Sequence, residues 1–88
     1  METLIEHKVR ILSEVRDILT KDVGIMESEI SMDCDLLKDL GLDSLDLADL
    51  VFRLEVRFNI RIKDEDMAGI KTIGDIVDYL DTVINPGS

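Results

Sequence analysis

Three stretches of the chain place apolar residues at helical intervals, and the stretch between the first two does not. Leu4, Ile5, Val9, Leu12, Val15 and Leu19 recur among Glu2, Glu6, His7, Lys8, Arg10, Glu14, Arg16 and Asp17, predicting an amphipathic helix over 3–19. Thr3 is placed to cap it with Glu6 as capping-box partner, and Gly24 marks its stop. Residues 23–38 hold no sustained period. Gly24, Ser28, Ser31, Asp33 and Asp35 predict a long loop, pinned at intervals by Ile25, Ile30 and Leu36-Leu37. A loop of that length in a small domain often carries function or hides a helical turn.

The second helix should begin at Asp43 or Ser44 and end near Phe58, with Asp43 as N-cap and Asp46 at N3. It bears two apolar stripes: Leu47, Leu50, Val51, Leu54 and Phe58, and then Leu45, Ala48, Phe52 and Val56. Both cannot face one core, so one of them should be at least partly exposed. Residues 59–63 leave room for a turn or a brief extended link. Residues 64–69 predict a short helix closed by Gly69. A last helix starts after Thr72, carries Ile73, Ile76, Val77, Leu80 and Ile84, and ends before Pro86. No alternating run is long enough for a sheet. The prediction is a small all-α four-helix bundle, three longer helices plus one short, with a long loop between helices 1 and 2. Residues 1–84 form a single domain and 85–88 a frayed tail.

Composition narrows the function. In 88 residues, 45% hydrophobic and 34% charged, one modest core fits but a deep substrate cavity does not. With 3% aromatic residues and no Trp, that core is aliphatic. A formal net charge of −10 disfavours nucleic acid and anionic membranes, and favours partners with basic patches. No apolar run approaches a membrane span, residues 1–10 lack a leader pattern, and the lone Cys34 cannot form an intrachain disulfide. A reducing cytoplasmic compartment and a monomer are the expectation.

Candidate chemistry concentrates at one serine. Ser44 stands at the mouth of the second helix between Asp43 and Asp46, with no histidine, lysine or cysteine near it in sequence to activate the hydroxyl. Gly41 permits a tight turn before the helix, and Leu40 and Leu42 can anchor that turn. A phosphoester at Ser44 would lie at the positive end of the helix dipole, opposed by the two aspartates. A serine placed for access and lacking a base suggests a group modified by another enzyme. A plain helix-start serine is the simpler alternative.

The octet Asp39-Leu40-Gly41-Leu42-Asp43-Ser44-Leu45-Asp46 resembles the prosthetic-group site of acyl carrier proteins. The likeness continues through Leu50-Val51, Leu54-Glu55, Phe58, Ile62, Asp64-Glu65, Ile70, Thr72-Ile73 and Asp78-Tyr79, covering about half the chain. The resemblance implies a carrier and not an enzyme, with no catalytic residues. A phosphopantetheinyl transferase would attach 4′-phosphopantetheine from coenzyme A to Ser44, and the arm's thiol would hold acyl intermediates as thioesters for fatty-acid, lipid or polyketide-type synthesis. It further implies docking of acyltransferases, ketosynthases or ligases through Asp43, Leu45, Asp46, Asp49, Phe52, Arg53, Glu55, Val56, Arg57 and Ile62. An aminoacyl, peptidyl or D-alanyl cargo is the alternative of the same kind. An unmodified acidic adaptor is the alternative of another kind.

The chain departs from the family pattern in places. Arg53, Arg57 and Arg61 put positive charge on or just past a helix that is mostly acidic in housekeeping members, and Lys63 stands where proline is frequent. These departures imply a specialised carrier, unless the arginines simply pair with nearby carboxylates. Asp64-Glu65-Asp66-Met67-Ala68-Gly69 with Asp75 echoes a calcium loop, but Ala68 and Asp75 supply the wrong groups at its fifth and twelfth positions. Cys34 and His7 have no metal-ligand spacing. Asp33 and Asp35 should raise the Cys34 thiol pKa.

Overall fold

The structure, a computed structural model, describes residues 4–85. It consists of four α-helices: α1 (Leu4–Asp17), α2 (Ser44–Phe58), α3 (Asp64–Met67) and α4 (Ile73–Ile84). A π-helical turn, Ile18–Val23, extends α1, and a single 3₁₀ turn, Glu27–Glu29, interrupts the long loop. The all-α bundle is thus as expected. Among the described residues the only β pairing is an isolated bridge between Asp35 and Thr72.

Helix α1 outlasts its predicted end because its register changes. The Thr20 hydroxyl donates to the carbonyls of Arg16 (2.9 Å) and Asp17 (3.2 Å). Such back-bonding competes with the α-ladder, and the wider turn that follows still buries both Ile18 and Leu19. Gly24, at φ 90°, closes the turn by donating its N–H to the Leu19 carbonyl. The buried face of α1 is Ile11, Val15, Ile18 and Leu19, and Val9, expected in the stripe, is exposed. The expected cap at Thr3 and residues 86–88 of the expected tail 85–88 lie outside the described residues, whereas Asn85 is bonded to Asp81 through its N–H (2.8 Å) and its side chain (3.1 Å).

On α2 the two stripes separate as the spacing requires. Leu50 and Leu54 are buried, with Leu47, Val51 and Phe58 packed beside them, whereas Leu45, Phe52 and Val56 are exposed. Helix α4 brings Ile73, Ile76, Val77 and Leu80 to the same core, while Ile84 is exposed. Its N-terminus is closed by a capping box: Thr72 Oγ1 accepts from the Asp75 N–H and the Asp75 carboxylate accepts from the Thr72 N–H.

Asp75 also accepts from the Lys71 N–H at 2.9 Å, and the Lys71 and Thr72 bonds hold its pKa below the ordinary 3.8. A depressed folded-state pKa adds stability that is present above the unfolded value and lost as pH falls through the folded one. The stability gap between the wild type and Asp75→Asn is therefore expected to be full near neutrality and to close as pH drops below 3.8. Urea denaturation of both proteins across that range checks it. A gap independent of pH contradicts the assignment.

The loop is fastened most tightly in its second half. Leu36 N–H donates to the Lys71 carbonyl (2.9 Å), Ile73 N–H to that of Cys34 (3.1 Å), and Gly74 N–H to that of Met32 (2.8 Å). A Cβ at Gly74 would lie 2.9 Å from the Met32 oxygen, so the close approach requires glycine. Ile30, Leu36 and Leu42 plug the loop into the core, but Leu37, expected as an anchor, is exposed. Its N–H is taken by the Asp35 side chain at 2.9 Å, and this tight turn directs the side chain outward.

Candidate functional site

The segment before α2 is a chain of turns built on Asp35. Its carboxylate accepts from the N–H groups of Leu37 and Lys38 (2.9 and 2.8 Å), and its carbonyl accepts from Asp39 and Leu40 (3.0 and 3.1 Å). The Lys38 and Leu37 bonds draw the Asp35 pKa below the ordinary range. Gly41, at φ 70°, reverses the chain, and Leu42 is buried with its N–H bonded to the Leu36 carbonyl (3.1 Å). Asp43 then caps α2. Its side chain accepts from the Asp46 N–H at 2.8 Å, and the Asp46 carboxylate accepts from the Asp43 N–H at 3.2 Å.

Ser44 is the first residue of α2, and it is exposed. Among the described residues none accepts a hydrogen bond from its hydroxyl. The capping box occupies the N–H groups of Asp43 and Asp46, which leaves those of Ser44 and Leu45 at the positive end of the helix without an intrahelical acceptor. A shallow groove of about 400 Å³ opens beside the serine. Leu47, Ala48, Val51 and Phe52 form its α2 wall, with Ile62, Asp64 and Met67 opposite. A second cleft, about 310 Å³, lies between Leu47, Ile70 and the Leu36-Leu37 turn.

The remaining predicted residues fall into two groups. Asp43, Leu45, Asp46, Asp49, Phe52 and Val56 are exposed, with Leu45 79%, Phe52 63% and Val56 66% accessible. Ile62 is a correction: at 8% exposure it belongs to the core, held there by its N–H donating to the Glu55 carboxylate at 2.8 Å. The same bond commits Glu55 to the α2–α3 link. Arg53 donates to Asp49 (2.8 Å) and lies 3.6 Å from Asp22. Arg57 pairs with Glu14 and with Asp17. Asp49 and Glu14, respectively, raise the pKa of these two arginines. The alternative in which arginines answer neighbouring carboxylates therefore describes Arg53 and Arg57. Glu14, Asp17 and Asp22 could not be found from spacing, because they lie 43, 40 and 31 residues from their arginines.

Other candidates resolve differently. Cys34 is buried, and burial is the main cause of its raised thiol pKa, followed by Asp39. Asp35 adds little to that shift, and Asp33 is not among its causes. Asp66 accepts from the Tyr79 hydroxyl (2.9 Å), and Asp75 serves the α4 cap. Among the described residues no cluster of His, Cys, Asp or Glu could hold a metal. No described helix is long and apolar enough to cross a membrane.

Bundle and site together define a small helical protein with an exposed serine hydroxyl at the start of a capped helix. Comparison with known proteins makes that class specific. The family model for the phosphopantetheine attachment site matches residues 13–80. An acyl carrier protein of Thermotoga maritima is 42% identical over 71 residues, 81% of this chain and 88% of that protein. One from Exiguobacterium sibiricum is 39% identical over 77 residues, 88% of this chain and 98% of that protein. A crystal structure of an acyl carrier protein from Thermotoga maritima superposes with a TM-score of 0.74 at 27% identity, covering 84% of this chain and 86% of that one. The chain belongs to the acyl carrier protein family. Its function is phosphopantetheine-dependent acyl carriage, which makes it a carrier worked on by partner enzymes and not a catalyst.

Proposed function

We propose that Ser44 carries the phosphopantetheine arm, joined through Oγ, and that α2 is the surface on which partner enzymes dock. The observation that carries this reading is the exposed Ser44 hydroxyl at the start of α2, inside the 39–46 octet and within the matched family segment. The residues present fit the group. The N–H groups of Ser44 and Leu45 suit a phosphate at a helix N-terminus, and the adjoining groove has the apolar wall a pantetheine chain requires. When bound, the arm supplies a thiol that holds an acyl group as a thioester.

The chain's own residues do the rest. Asp43 fixes the helix start, Gly41 and Leu42 fix the turn that aims the serine, and the hydroxyl has no partner to displace among the described residues. A phosphopantetheinyl transferase must supply the base that takes the Ser44 proton. Leu45, Phe52 and Val56 offer partner enzymes apolar contact. Residues 1–84 act as one carrier domain, and the single buried thiol suits a reducing cytoplasm.

The test is an intact mass after incubation with coenzyme A and a broad-specificity phosphopantetheinyl transferase, followed by fragmentation. One phosphopantetheinyl group on the peptide containing Ser44 is expected. Addition at Ser13, Ser28 or Ser31, or none to a folded sample, overturns the assignment.

A further inference from the structure

Every acid of α2 is engaged within the molecule. Asp46 closes the capping box, Asp49 accepts from Arg53 (2.8 Å), and Glu55 accepts from the Ile62 N–H (2.8 Å). At about 100° per residue, Asp49 is the one of the three that shares the outermost strip with Leu45, Phe52 and Val56. The strip facing outward is therefore an apolar ridge whose own acid is paired. Beside it, Asp46 and Glu55 accept only backbone N–H bonds and keep their charge, whereas the acids facing Phe52 and Val56 from the first helical stretch are ion-paired. Arg53 reaches Asp22 in the π-helical turn, and Arg57 spans Glu14 and Asp17 on α1.

We infer that Arg53 and Arg57 determine partner specificity: by holding Asp49, Asp22, Asp17 and Glu14 in ion pairs they mask the negative field around Phe52 and Val56, and this half of the α2 face then fits a partner offering an apolar socket with a near-neutral rim in place of a basic groove. The inference rests on the docking role proposed for this face. Ion pairs as exposed as these contribute little to folding, so their main consequence is the charge pattern they present. A basic groove descending on Phe52 and Val56 would meet two guanidinium groups in the hollow beside them, and on the other side Arg61. A basic groove that finds those carboxylates already paired gains no attraction there, which disfavours it against a neutral one.

The probe is malonyl loading of the phosphopantetheinylated protein by a fatty-acid-synthesis malonyl transferase with a basic carrier-docking groove. Wild-type loading should be slow and nearly flat between about 0.05 and 0.3 M salt. Arg53→Gln with Arg57→Gln should speed it roughly threefold to tenfold at low salt, and the gain should vanish at high salt. The converse variant, Glu14→Gln, Asp17→Asn and Asp22→Asn, frees Arg57, leaves Arg53 with Asp49 alone, and should slow loading below wild type. Fast wild-type loading that falls steeply with salt overturns the inference, as does an unchanged rate in the arginine variant. Circular dichroism checks that each variant is folded. If the arginine variant unfolds, the carboxamide variant decides alone. Phe52→Ala separates the two levels: slowed loading there, with no response to the charge variants, removes only the masking, whereas no effect of Phe52→Ala removes the docking reading as well.

Discussion

Replacing Ser44 with alanine is expected to abolish phosphopantetheinylation completely while leaving the fold intact. The whole modification depends on one oxygen. Alanine is accepted at the first position of a helix, and the cap is supplied by Asp43 and Asp46, not by Ser44. Because the side chain is exposed and bonds to no described residue, unfolding free energy should change by no more than about 0.5 kcal/mol. Intact mass after treatment with coenzyme A and a transferase reads the first effect, and thermal melting the second. Retained modification in Ser44→Ala would exclude this serine. Lost modification with a collapsed melting temperature would mean that alanine had damaged the bundle.

Leu54→Ala should show the opposite separation. Leu54 is 2% exposed in the aliphatic core, so truncation removes buried methyl groups and leaves a cavity, costing about 3 kcal/mol. For a domain of this size that corresponds to a melting-temperature drop of roughly 10–25 °C, out of a total stability of about 4–13 kcal/mol. Phe52→Ala, two positions earlier and outward-facing, should stay within about 0.5 kcal/mol. Urea or thermal denaturation of the pair measures the contrast directly. Equal costs would mean that the two stripes of α2 are not divided between core and solvent as described.

Much of this architecture was legible in the residues because it is set by local rules. Asp43 and Thr72 cap the helices they were expected to cap, Gly24 ends the first helical stretch, and the stripes of α2 divide as their angular spacing requires. The octet around Ser44 pointed to the family that the comparisons then showed. What was misread depends on contacts that the spacing of apolar residues does not carry. Val9 has the right spacing for the α1 stripe, but the bundle closes around Ile11 and Ile18 instead. The π-helical turn, where the Thr20 hydroxyl bonds backbone carbonyls, is a change of register that hydrophobic period does not encode. Ile62 belonged to a docking list until the Glu55 carboxylate drew its backbone inward. Asp49 lies within helical spacing of Arg53, but Asp22 and the partners of Arg57 lie on and just past α1, beyond the reach of any helical spacing.

The loop before α2 divides its labour at Met32. Ahead of that residue, Ile25, the 3₁₀ turn and Ile30 punctuate a largely exposed stretch; behind it, hydrogen bonds from Leu36, Ile73 and Gly74 sew the segment to the start of α4. Chain length is therefore negotiable on one side and fixed on the other. Extra residues spliced in near Ser28 would bulge into water and leave the serine's aim untouched. A single residue removed between Asp35 and Gly41 would pull the stitching out of step with α4 and rotate the hydroxyl away from the enzyme meant to reach it.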